Sequence, residues 1–295
     1  MAPAFPKIDP MKSLDELLTL LDLERLEVNL FRGVSPNDGL PRVYGGQVVA
    51  QSLMAAYRTV QNRVCHSLHC YFIRPGDPSI PIIYEVDNAR DGTSFTTRRV
   101  IAIQHGKQIF NMAASFQVKE GGYEHQIDMP AHGDPDKLPQ EPPPADDMDN
   151  PVRETMKVFM NRNRPVQMLP GDWSDLAPAK ALPPKRQIWM RATGPIGEDH
   201  VLQHCVLAYV SDFALLDTST RPHSVNWFRG GVQMASLDHA VWFHQPFCME
   251  DWLLYDMDSP IAHGGRGFNR GQVFTRDGVL VASVAQEGLI RPQSE

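Results

Sequence analysis

The feature that most constrains this chain is one pattern of elements written twice. The first copy, from 41 to 118, opens with PRVYGGQVVAQSLMAAY, where paired glycines lead into a small-residue apolar segment that reads as a helix. HSLHCYFIRPGD follows, then IPIIYEVDNARDGTSFTTRRVIAIQHGKQIFNMAASFQV. This last stretch is rich in β-branched and aromatic residues around a Gly106 turn, so it reads as strands joined by hairpins. The second copy, from 199 to 291, keeps the order. DHVLQHCVLAYVSDFALLD is helical in period, and SLDHAVWFHQPF parallels HSLHCYFIRP, with Phe243 and Pro246 answering Phe72 and Pro75. An Asp277-Gly278 hairpin signal answers His105-Gly106. Such a repeat points to two like units in one chain.

One helix followed by about four or five antiparallel strands, twice, makes the fold class α+β. The expected layout is an N-terminal repeat over 1–120, a proline-rich connector over 121–185 and a C-terminal repeat over 186–295. Proline and acidic residues (HGDPDKLPQEPPPADDMDNP) mark the connector as solvated, with a short helix expected around Val152 to Met160. The small residues of GGQVVAQSLMAA suit a helix buried against a curved sheet.

The 295 residues allow a proper core, and 42% hydrophobic with 21% charged residues is ordinary for a globular protein. A formal net charge of −7 argues against nucleic acid as a partner. No apolar run is long enough for a membrane helix, and the start lacks the pattern of a secretory signal. With four scattered cysteines, reduced thiols in a cytoplasmic protein are expected.

Several chemistries drop out. There is no G-x-S-x-G, no Walker A loop and no H-E-x-x-H. Gly264, Gly265, Gly267 and Gly271 lack dinucleotide spacing and read as glycines of a sheet bend or bulge. Cys65, His66, His69 and Cys70 resemble zinc ligands. On an alternating strand, however, His66 and Cys70 face one way and Cys65 and His69 the other, so they cannot converge on one ion. Neither a metal nor another cofactor is expected, and His66 is best read as a hydrogen-bonded structural histidine.

The informative position is Asp212. Val201, Cys205, Tyr209, Asp212 and Leu216 fall on one stripe of a helix expected from about Asp199 to Leu216. Four of the five suit a core; the carboxylate does not, because burying its charge is costly. A structural aspartate with a local partner would satisfy the pattern, and so would a general base. The first copy's helix offers no acid between Gly45 and Arg58, although Gln117 stands near the end of its last strand. One active site per chain is the expectation, with the first copy as wall, acyl tunnel or scaffold.

FRG, PRVYGGQVVAQSLMAA, HSLHCYFIRPGD, RDGTSFTTRRV, GKQIFNMAASFQ, YVSDF, ASLDHAVWFHQPF, WLLY and GVLVASVAQEGLIR together resemble the acyl-CoA thioesterase II family. The resemblance runs from about Glu24 to Arg291, except for the proline-rich middle. It implies a double hot-dog fold, acyl-CoA as substrate, and hydrolysis to fatty acid and CoA. It also implies catalytic roles for Asp212 of YVSDF, Ser236 of ASLDHA and Gln286 of VAQEG, with further self-association common in this fold. A thioester carbonyl is already activated, so hydrolysis needs a placed water more than a covalent nucleophile. Asp212 would take the water's proton while Ser236 and Gln286 position it. His239, three residues after Ser236, is expected to point away on an alternating strand. The helix behind Gly45 and Gly46 is a candidate for substrate contact and oxyanion stabilisation. Arg98, Arg99, Arg266 and Arg270 are candidates for the CoA phosphates, against a reading as solvated charges. The alternatives are a hydratase or dehydratase on acyl thioesters, and a non-catalytic acyl-CoA sensor.

Overall fold

The computed structural model describes residues 13–36, 41–140, 164–173, 180–225 and 231–293. The short helix expected around Val152 to Met160 lies outside them. The first half holds α1 (Leu14–Leu21), β1 (Glu24–Glu27), β2 (Leu30–Gly33), α2 (Gly45–Tyr57), β3 (Val64–Phe72), β4 (Ile82–Asp91), β5 (Phe95–Gln104) and β6 (Lys107–Gln117). The second holds β7 (Val166–Pro170), β8 (Lys185–Ala192), α3 (His200–Ser211), a 3₁₀ helix (Leu216–His223), β9 (Val232–Ser236), β10 (Asp238–Phe243), β11 (Leu253–His263), β12 (Arg266–Thr275) and β13 (Leu280–Pro292).

The strands form one antiparallel sheet in the order β1-β2-β4-β5-β6-β3-β10-β13-β12-β11-β8-β7, with β9 paired to β13. Read outward from the β3–β10 seam, both halves place their strands in corresponding order. The seam itself is symmetric: His239 pairs with Cys70 on one side, and Val241 with Leu68 on the other. His105 and Gly106 turn the β5–β6 hairpin in left-handed conformations, and Gly278 serves the matching β12–β13 turn. Gly264 and Gly265, expected in a sheet bend, form instead the turn between β11 and β12, both with positive φ. Part of the stretch assigned to the connector is also structured. β7 pairs with β8, and Trp173 and Trp189 donate to the carbonyls of Pro139 and Gly133. These tryptophans pack with Leu169, Trp252, Leu254 and Phe274 in a satellite core.

The main core runs under both halves and contains α2 and α3. Every residue of α2 from Gly46 to Tyr57 is buried, which explains its glycines and alanines: a neighbouring backbone lies too close for larger side chains. Its two buried glutamines are hydrogen-bonded. Gln51 donates to the carbonyls of Leu20 and Val34 and accepts from the Tyr84 hydroxyl at 2.6 Å, while Gln47 donates to Ser35.

Among several register shifts in the sheet, one in each half bears on the candidate site. In β3 the register against β6 shifts between Cys65 and Ser67. In the second half Ser236 pairs with Gly288 but Ala240 with Ala285, so one strand carries an extra residue between them. The bulge in β3 overturns the expected facing of its histidines and cysteines. Cys65 and Cys70 both turn into the core, His69 lies outside against the Trp242 ring, and His66 is hydrogen-bonded to Ser115 Oγ at 2.8 Å. Among the described residues no cluster could hold a metal ion.

Candidate active site

α2 and α3 lie antiparallel, so the start of α2 meets the end of α3. Tyr44, the N-cap of α2, donates its hydroxyl to the Tyr209 carbonyl at 2.9 Å and sets its ring edge-on to that of Tyr209. α3 ends at Ser211, one turn sooner than its periodicity suggests, and Asp212 is its C-cap. The stripe is therefore cut before Leu216, because Ala214 takes a left-handed conformation and the chain re-coils as a 3₁₀ helix. This leaves Asp212 half-buried at a helix junction.

Three groups donate to the Asp212 carboxylate. Gln286 Nε2 reaches Oδ1 at 2.6 Å and Ser236 Oγ reaches the same oxygen at 3.3 Å. The Gly46 N–H, in the first turn of α2, reaches Oδ2 at 2.9 Å. The three residues that the family resemblance singles out are thus brought together, and a backbone donor from the other half joins them. Gly45 and Gly46 are needed for this approach. A Cβ on Gly46 would stand 2.1 Å from the Tyr209 carbonyl oxygen, and one on Gly45 would stand 2.7 Å from Asp212 Oδ2. The helix start expected to face an oxyanion instead gives its Gly46 N–H to the carboxylate.

The expectation that His239 points away from this cluster is wrong. His239 is completely buried, with Nδ1 3.1 Å from Gln286 Nε2 and Nε2 2.8 Å from Ser211 Oγ. The bulge between β9 and β10 is the reason: the extra residue puts Ser236 and His239 on the same side. Burial pushes the imidazole below its usual range, against the pull of the nearby Asp212 charge. Burial, and then the same charge, holds the Tyr44 and Tyr255 phenols well above theirs, so both stay neutral. Asn269, opposite Gln286 on β12, is likewise buried and was not singled out by sequence.

Aligning the halves on the seam gives each of these residues a counterpart. The C-cap of α2 is Arg58, where α3 has Asp212. Cys65 stands for Ser236 at the bulge, and Leu68 stands for His239, four residues before Phe72 and Phe243 respectively. Eight residues beyond the turn glycine, Ala114 answers Gln286, so Gln117 is not the equivalent its sequence position suggested. Gln117 instead donates to Glu120 near the surface.

The arginines considered for phosphate contact are placed as follows. Arg98 is buried and spends its guanidinium on Thr59, Asp91 and two backbone carbonyls. Arg266 pairs with Glu287, and Arg270 pairs with Asp258 through two nitrogens. Arg99 is exposed on β5.

Two family models match the chain: acyl-CoA thioesterase over residues 160–289, and acyl-CoA thioesterase N-terminal domain over residues 35–117. The chain belongs to the acyl-CoA thioesterase family. Human acyl-coenzyme A thioesterase 8 is 41% identical over 294 residues, covering 96% of this chain and 92% of its own. Acyl-CoA thioesterase 2 of Haemophilus influenzae is 39% identical, covering 94% of this chain and 98% of its own. Among solved acyl-CoA thioesterases, a type II enzyme from Mycobacterium marinum superposes with a TM-score of 0.77 at 42% identity, covering 95% of this chain and 98% of that one. A hot-dog protein from Alicyclobacillus acidocaldarius, 17% identical, matches with a TM-score of 0.73 over 95% of this chain and 99% of that one, which speaks to the fold alone. Among the described residues, no helix is long and apolar enough to cross a membrane.

Proposed function

We propose that this chain hydrolyses fatty acyl-CoA to fatty acid and CoA by direct attack of water, with Asp212 as the general base. The carrying observation is the ring of donors on Asp212. A carboxylate offers about four lone-pair directions. Gln286, Ser236 and Gly46 occupy three, leaving one for the proton of a water. Asp212 takes that proton as the water oxygen bonds to the thioester carbonyl carbon. The tetrahedral intermediate then collapses, the C–S bond breaks, and the proton passes to the departing CoA sulfur.

Ser236 donates to Asp212 and keeps lone pairs to receive a hydrogen from the same water. Gln286 presents Nε2 to Asp212, while its buried Oε1 has no protein partner; a water hydrogen would satisfy it. The site draws on both halves, and we read 1–120 and 186–295 as two fused hot-dog units joined through 121–185.

The deciding experiment is CoA-thiol release from a series of fatty acyl-CoAs by the purified chain and by Asp212→Asn. General-base catalysis contributes about 10²–10⁴ in rate, so the variant should lose about that much while unfolding at a similar temperature. Turnover by Asp212→Asn at the parental rate would rule the mechanism out.

A further inference from the structure

We infer that His239 is a positioning residue for this hydrolysis: as the neutral Nε2–H tautomer, it holds the Gln286 amide with its nitrogen against Asp212. The inference rests on the reading of Asp212 as general base. Hydrogen positions along the chain follow from donor and acceptor chemistry. The Ser211 hydroxyl donates to the Ala208 carbonyl at 3.0 Å, so its oxygen is left to accept from His239 Nε2–H at 2.8 Å. Nδ1 then carries no proton and accepts one hydrogen of the Gln286 amide at 3.1 Å. The second amide hydrogen goes to Asp212 Oδ1 at 2.6 Å. That short contact with a carboxylate oxygen demands a donor, which fixes which end of the amide faces Asp212.

A side-chain amide can turn end for end, and nothing in its own shape prevents Gln286 from doing so. If it did, Oε1 would face both Nδ1 and Asp212 Oδ1, three acceptors without a hydrogen among them. A second proton on the ring would reverse this preference by making Nδ1 a donor. Burial opposes that proton, and the closest charge on the ring is Asp212. The backbone that carries the ring is held as well, since the Cys70 thiol donates to the main-chain carbonyl of His239 at 3.1 Å. The first half has neither part of this device: Leu68 and Ala114 pair at the corresponding positions, with no amide to orient and no ring to orient it.

The test is steady-state thiol release by the full chain carrying His239→Leu, Gln286→Ala, or both. Leucine is the residue the first half accepts at this place. Misplacing a reacting group by about 1 Å can cost up to about 10²-fold. His239→Leu should therefore lower kcat about 10- to 100-fold with little change in KM. In the Gln286→Ala background it should cost nothing more, because the residue it positions is gone. A parental kcat in His239→Leu, or an equal fall in both backgrounds, would overturn the proposal. If His239→Leu does not fold, Ser211→Ala removes only the acceptor that fixes the tautomer. It should slow the parent by a smaller factor and leave Gln286→Ala unchanged; equal slowing of both again overturns the idea. Asp212→Asn assayed in parallel separates the two readings. Full turnover there removes the general base itself, whereas loss there with an intact His239→Leu removes only the positioning role.

Discussion

The two ends of the α2–α3 pair are related by the symmetry of the seam, and their contents are opposite. At one end a carboxylate is ringed by a backbone amide, a side-chain amide and a hydroxyl. At the other the space is filled with rings. Tyr57 stands edge-on to Phe116 and is hydrogen-bonded through its hydroxyl to His204 Nδ1 at 2.9 Å, while His204 stacks on Phe243 and Phe247. Arg58, the counterpart of Asp212, turns outward to Asp22 and the Leu23 carbonyl. Both ends have a bulge beside the seam, although a 3₁₀ helix and β9 stand between α3 and β10 where only a short link joins α2 to β3. Among the differences are Arg58 for Asp212, Cys65 for Ser236, Leu68 for His239, Ala114 for Gln286 and, from the matching strand pairs, Arg98 for Asn269. The fold therefore supplies two like places, and a few side chains make one polar and the other packed.

The strongest attack on this comparison is Gly46→Ala, which strikes the Asp212 end through its backbone. The added methyl group collides with the Tyr209 carbonyl and the Tyr44 ring. Overpacking of this kind costs about 1–3 kcal/mol, so thermal unfolding should shift downward and thiol release should fall to near background. Next comes Gln286→Ala, which installs the residue of the first half. Losing a hydrogen bond to a charged group, about 1.5–3 kcal/mol, corresponds to a drop of about 10- to 100-fold in kcat. Ser236→Ala should cost less, about 10-fold or below, because its contact is longer and between a neutral donor and an already well-held carboxylate.

The smallest effect belongs to the packed end and is read in stability. Burial, reinforced by His200, lowers the His204 imidazole from 6.5 to about 3. A depressed value means that the unfolded chain binds the proton more tightly. The neutral ring thus contributes its full stability above pH 6.5, and that contribution is lost as the pH falls from 6.5 toward 3. Denaturant unfolding across this window should show a shallower pH dependence in His204→Leu, with thiol release at neutral pH much less affected than in Gln286→Ala. An unchanged slope would mean that His204 is not the titrating group.

Much of this could be read before the fold was known, and the failures share a cause. The repeat was legible because turn glycines and Phe-x-x-Pro keep their spacing even where identity is lost. Asp212 was legible because an acid on an otherwise apolar stripe is conspicuous. The early end of α3 was not, since Phe213 to Leu216 continues the apolar period while Ala214 breaks the backbone. The facing of Cys65 and His66 relative to His69 and Cys70, and of His239 relative to Ser236, was misjudged for one reason. Both arguments counted alternate residues across a bulge, and a bulge leaves no obvious mark in composition. Gln117 misled because the strand was counted from its end; counted from the turn, the first half has Ala114 there.

The Gly46–Asp212 hydrogen bond ties the position of the carboxylate to the alignment of two halves that are also joined covalently. These two connections do different jobs. The polypeptide linking them acts as a tether, keeping each half at high effective concentration about the other without specifying an angle or an offset. The β3–β10 seam acts as the ruler. Strands can slip only in whole residues of about 3.3 Å, and a single step would turn every core side chain of β10 to the wrong face. Alignment at the scale of a hydrogen bond is thus written into the strand register, and the tether is free to change length without passing the change on to the carboxylate.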